Sequence, residues 1–252
     1  MSKKYNNPPI VEALCEFQFI TDQQWDLTIP GLIYAEIKEK FPQRQQQVGI
    51  GIRFKPTDNG GVENRVENAP PRIRFFNQDK TMLVQVGPDL LVVNQLKPYK
   101  SWNSFKPIIL ENLNIYRKEA GPRGFKRIGL RYINKINIKS TLVTLKNIKN
   151  YLKFHPSVPM DIPQDHLNFI LRTEIPCNNG RDLIVLTIGS ATPEETGISS
   201  IILDLNYVLS QSDSIPIDNV ESWLEEAHSS IENFFEACIT DKSRKIFEEV
   251  EI

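Results

Sequence analysis

Two segments of this chain alternate between apolar and polar residues with a period of two. Their placement, one near the start and one at the midpoint, constrains the fold more than any other feature. In PPIVEALCEFQFI (8–20), Val11, Ala13, Cys15, Phe17 and Phe19 fall on one side, and Glu12, Leu14, Glu16 and Gln18 on the other. In RIGLRYINKINIK (127–139), Arg127, Gly129, Arg131, Ile133, Lys135, Asn137 and Lys139 share one side, backed by Ile128, Leu130, Tyr132, Ile136 and Ile138. Successive side chains of a strand point to opposite faces, so each segment reads as a long half-buried strand.

Each of the two strands leads into a similar run of elements. After the first, TIPGLIYAEIKEKFP (28–42) spaces Leu32, Ile33, Ile37 and Phe41 as a helix and stops at Pro42. Strands are expected over 45–56 and in PRIRFFNQD, KTMLVQVGP and DLLVVNQLKP, with a polar loop over 57–71. Then 101–121 opens on a serine cap, carries Phe105, Ile109, Leu113 and Tyr116 on one stripe, and ends at Gly121. After the second strand, 142–154 reads as helical and 155–166 as a Pro-rich loop. Next come three strands (166–176, 181–191 and 199–210), then a helix over 219–240 with Trp223, Ala227, Ile231, Phe234 and Cys238 on its apolar stripe. KSRKIFEEVEI is a short amphipathic tail.

Element order therefore repeats: strand, helix, four strands, helix; then strand, helix, three strands, helix. The expectation is an α+β fold, one domain of two pseudo-symmetric halves (1–122 and 123–252). A curved antiparallel sheet is formed by the two pseudo-repeats, with helices on one face. The order resembles the TATA-binding-protein-like architecture, in which two halves join through their first strands. A helix-grip fold is the alternative.

Three segments, NPPIVEALCEFQF (7–19), KPYKSWNSFKPII (97–109) and RIGLRYINKI (127–136), together with AHSSIENFFEACIT (227–240), resemble a bacterial family of unknown function that is sporadically distributed among genomes. That resemblance brings no catalytic residues. It implies an accessory gene, in a defence or toxin–antitoxin setting.

Composition narrows the function classes. The 252 residues carry a net charge of -1, without the basic excess usual for a protein that lives on phosphate contacts. The 3 cysteines (Cys15, Cys177 and Cys238) are far apart and form no metal or disulfide pattern, which favours a reducing, cytoplasmic setting. No apolar run is long enough to span a bilayer, so no membrane partner is expected. No cofactor is expected either: Gly49 and Gly51 lack the third glycine of a dinucleotide loop, and no G-x-S-x-G occurs. His155 and His166 share a loop at a spacing that matches no metal motif, and His228 reads as a helix-surface histidine. Tyr99, Trp102 and Phe105 read as anchors at the start of a helix, with the rim of a concave site as the other reading.

The candidate site is thus the polar face of the two alternating strands. If they are neighbours, Arg127 or Arg131 would meet Glu12 or Glu16 as cross-strand ion pairs and neutralise the row. Glu12, Glu16, Arg127, Arg131 and Lys135 then form a mixed-charge binding face suited to a protein partner, with no catalytic role expected. The alternatives are nucleic-acid binding along 127–139 and a small-molecule site, sensing or catalytic, in the sheet concavity.

Overall fold

A computed structural model describes residues 3–56, 62–139, 144–159, 161, 168–192 and 195–250; for 48–56, 62–70, 145 and 146 it describes the backbone alone. The described residues form β1 (Ile10–Ile20), α1 (Ile29–Ile37), β2 (Gln43–Pro56), β3 (Val62–Phe76), β4 (Met82–Gly87), β5 (Leu90–Leu96) and α2 (Trp102–Ala120). They continue with β6 (Gly124–Lys139), α3 (Leu145–Ile148), β7 (Ile170–Cys177), β8 (Asp182–Ala191), β9 (Ile198–Leu209), α4 (Val220–Cys238) and α5 (Asp241–Phe247). The nine strands make one open antiparallel sheet in the order β2-β3-β4-β5-β1-β6-β9-β8-β7. The expected α+β class, with the helices on one face, is what the chain adopts.

The two alternating strands pair with each other at the centre, Glu16 opposite Gly129 and Leu14 opposite Arg131. Their apolar sides carry the core. Phe17, Phe19 and Phe125 pack with ring centroids 5.7–6.1 Å apart, and Tyr116 of α2 stacks on Phe19 at 4.5 Å. All four rings are buried, each worth about 2–3 kcal/mol of transfer free energy. The helix α2 is placed by Ser101, whose Oγ accepts from Ser104 N, and ends on Gly121 at φ 57, a left-handed position that suits glycine. Cross-helix contacts then tie α2 to α4: Trp102 Nε1 donates to Glu225 at 2.9 Å, and Lys106 meets Glu221 and Glu225.

The buried carboxylate of Asp182 fastens α4 to β8. It accepts from Trp223 Nε1 at 2.9 Å, Asn178 Nδ2 at 2.7 Å, Arg181 Nε at 2.9 Å and the Tyr207 hydroxyl at 3.2 Å. Donors from four residues on one carboxylate offset the cost of burying it.

Three expectations need correction. Residues 62–71 of the expected polar loop belong to β3, paired with β2, while 57–61 lie outside the described residues. The register shifts between Gln47, opposite Arg72, and Gly49, opposite Ala69, so Pro70 and Pro71 fall at a bulge where their missing N–H groups cost no ladder bond. The second-half helix is four residues long, and Leu152 instead bridges to Ile239. Leu32, spaced in the sequence with Ile33 and Ile37 as a helix, is 47% exposed, and Ile29 joins Ile33 and Ile37 on the buried side of α1.

Candidate functional site

Because β1 and β6 are central, their polar sides form the middle of the sheet face that the helices leave uncovered. Arg127 lies directly opposite Gln18 but reaches diagonally to Glu16, its Nη1 2.9 Å from Glu16 Oε1. Gly129 makes room: a Cβ there would lie 3.4 Å from Arg127 Nη1 and 3.2 Å from Asn206 Oδ1. Gln18 donates to the same carboxylate oxygen at 2.8 Å.

Arg131 turns the other way. Its Nε donates to Asp204 Oδ1 of β9 at 2.8 Å, and its Nη2 donates to Oδ2, a two-pronged charge-assisted pair. Asp204 holds the Arg131 guanidinium firmly charged, with the fields of Glu12 and Glu16 adding to it. The anticipated pairing across β1 and β6 thus exists for Arg127 alone. Asp204 went unnoticed in the sequence because nothing there says that β9 flanks β6. Its place in SSIILDLNYVL, a lone acid on the polar side of an alternating strand, was the available signal.

Glu12 looks toward the first half instead. Asn94 of β5 donates to Glu12 Oε1 at 2.7 Å, Gln85 of β4 donates to Asn94 Oδ1 at 2.9 Å, and Arg74 of β3 donates to Gln85 Oε1 at 3.4 Å. Each amide accepts from one neighbour and donates to the next, an order in which hydrogen bonds polarise one another. A line of polar side chains therefore runs over six strands from β3 to β9. Three guanidiniums (Arg74, Arg127, Arg131) stand against three carboxylates (Glu12, Glu16, Asp204) in it. The centre is still accessible: Arg127 and Arg131 side chains are 32% and 39% exposed. On the flank, Leu83, Leu90 and Val92 of the same face are buried.

Lys135 lies further along β6, opposite Ile202 of β9. With Lys139 it lines a cavity at the far end of β6. The row read from the sequence is therefore two groups: a matched arginine pair and a lysine end.

On the helix side, Tyr99, Trp102 and Tyr132 line another cavity of about 820 Å³, while Phe105 is core. His228 stacks on Trp102, centroids 4.4 Å apart at 9°, so it is a largely covered residue rather than a surface one. Burial pushes its pKa below the ordinary 6.5, with Glu232 and Glu225 pulling the other way. The Tyr99 and Tyr132 hydroxyls are 2.9 Å apart, and burial pushes both phenols up. Burial likewise pushes the Cys15 thiol up, which leaves it unreactive. His155 Nδ1 lies 3.1 Å from Pro156 O, and His166 is outside the described residues. Among the described residues, no cluster of three His, Cys, Asp or Glu could hold a metal ion. Among them, too, no helix is long and apolar enough to cross a membrane.

Fold and site together define an α+β protein with helices on one sheet face and, at the centre of the other, an accessible, polar and charge-matched line. No protein-family model matches the chain, and no curated protein sequence matches it.

Proposed function

We propose that this is a non-enzymatic binding protein, an adaptor that grips a protein partner on the open sheet face around Glu12, Glu16, Arg127, Arg131 and Lys135, with Asp204 completing the surface. One observation carries the reading: the ion pairs and amides at the centre of an uncovered face are already held in place by one another. Groups fixed before contact lose little conformational entropy when a partner docks. Alternating charges then specify register rather than bulk affinity.

Nucleic-acid binding on this face is weaker as a reading. Phosphate recognition requires an uncompensated positive field, and the arginines of the stripe face Glu16 and Asp204 at hydrogen-bonding distance.

The test is capture from native extract with wild-type protein and Arg131→Glu, read for protein and nucleic acid together. The substitution sets two carboxylates against each other on β6 and β9. Expected is a defined protein partner retained by the wild type and lost by the variant, at unchanged fold by circular dichroism. Equal retention by Arg131→Glu, or recovery of nucleic acid in a salt-sensitive complex, overturns the reading.

A further inference from the structure

β7 is the last strand at the second-half end of the sheet, and among the described residues no strand pairs with its outer side. One bond tells its two sides apart: Ser190 N of β8 donates to Phe169 O at 3.0 Å. In an antiparallel ladder the N–H and C=O of one residue point the same way, and the direction alternates along the strand. Phe169, Leu171, Thr173 and Ile175 therefore face β8, while Ile170, Arg172 and Glu174 hold both groups outward. Pro176 shares the outward parity, so its missing N–H costs the β8 ladder nothing.

The outward-bonding residues carry their side chains on the open sheet face. Arg172 lies opposite Thr187 of β8, which lies opposite Asp204 of β9. Ile170 is 78% exposed, and Arg172 and Glu174 form an accessible ion pair. Leu171 and Ile175 pack on the core from the helix side.

This edge is complementary to itself in one register. Outward groups of two copies meet only when Ile170, Arg172, Glu174 and Pro176 face one another. A two-fold axis at Arg172 or at Glu174 sets like charges directly opposite, which is unfavourable. An axis at Thr173 sets Arg172 opposite Glu174 of the second copy, and Glu174 opposite Arg172 of the second copy. The same axis sets Leu171 opposite Ile175, Thr173 opposite Thr173 and Ile170 opposite Pro176, so apolar meets apolar on both faces. Ile170, Arg172 and Glu174 of each copy then donate an N–H to the other, and only Pro176 has none to give.

From this edge we infer that the protein forms a two-fold dimer in which β7 pairs antiparallel with β7 of a second copy about an axis at Thr173. Such an interface uses the same patch on both subunits and closes on itself. It also covers an edge that is otherwise a template for uncontrolled pairing. One sheet then runs through both copies and carries both charge-matched lines on the same face. The dimer does not depend on the partner reading; if that reading holds, the partner surface is presented twice.

Sedimentation velocity of the full chain over a concentration series tests it. The variants are Arg172→Glu, Glu174→Arg, an equimolar mixture of the two, and Lys38→Glu as a charge control at the exposed end of α1, with fold checked by circular dichroism. Expected is a concentration-dependent dimer for the wild type and for Lys38→Glu. Each β7 variant alone weakens it about tenfold or more, because like charges then meet at both cross-strand pairs. The mixture regains wild-type association, because opposite charges meet again at both. A wild type that stays monomeric overturns the inference and leaves the edge to a strand of another protein. A dimer indifferent to both variants, or no regain in the mixture, overturns it as well. Capture with Arg131→Glu reads the partner face separately, so either result can fail without the other.

Discussion

At the scale of single residues, charge placement decides what this surface can do. Arg131 has Leu14 opposite on one side and Asn206 on the other, and neither neutralises it. Its length lets it reach the diagonal Asp204, and the pair forms across strands that are distant in sequence. His228 shows the reverse effect, a titratable ring made less basic by the Trp102 face against it. Because its folded pKa lies below 6.5, the unfolded chain takes up the proton first as pH falls. Stability conferred by the neutral ring is therefore complete above about 6.5, declines as pH drops through that value, and stops declining below the folded pKa. Urea midpoints measured from about pH 7.5 to about pH 5.5 should show this slope in the wild type and a smaller one in His228→Phe. Identical slopes would mean that His228 does not titrate differently on folding. Burial of this histidine was not legible in the sequence: its helical position was, but the ring that covers it comes from α2, 126 positions earlier by subtraction of 102 from 228.

At the scale of elements, strand pairing turns sequence alternation into a surface. The period of two in β1 and β6 names which residues are open, and the structure keeps every one of them on the side it was assigned. Pairing supplies the rest. Gly129 is small where the Arg127 guanidinium crosses toward Glu16. Gly129→Val should favour the strand backbone but push Arg127 off Glu16, since its Cβ would already sit 3.4 Å from Nη1 and a branched side chain extends further. The expected result is a stability change within about 1 kcal/mol in chemical denaturation, with loss of partner capture. Retained capture would show that Arg127 can be displaced without consequence. The expected polar loop at 57–71 shows why local chemistry misleads here. Asn and Pro mark turns when they stand alone, yet β3 carries Asn64 and Asn68 in its ladder and Pro70 and Pro71 at a bulge. Composition alone cannot separate these cases, because pairing is a property of two segments.

At the scale of the whole molecule, the β1–β6 seam makes one sheet of two halves. Phe17, Phe19 and Phe125 pack across it, and Lys106, Trp102 and Arg117 of α2 reach Glu221, Glu225 and Asp218 of the second half. Separating the halves would expose two long central strands as edges, each a template for aggregation. Urea unfolding should therefore be a single transition, with tryptophan fluorescence and far-ultraviolet circular dichroism superimposing. Trp25 and Trp102 report on the first half and Trp223 on the second. Two resolved steps would show that the halves melt separately. The sequence by itself determined the element order, the apolar sides of the strands and helices, and the open position of the charged row, because these depend on periodicities of two and 3.6 carried by neighbouring residues. Only the tertiary structure decided that Arg131 answers Asp204, that Glu12 answers Asn94, and that Lys135 and Lys139 line one cavity with Lys97 and Lys242. Charges act through space over a few ångströms, and which charges come that close is set by strand order and by the docking of α5, not by distance along the chain.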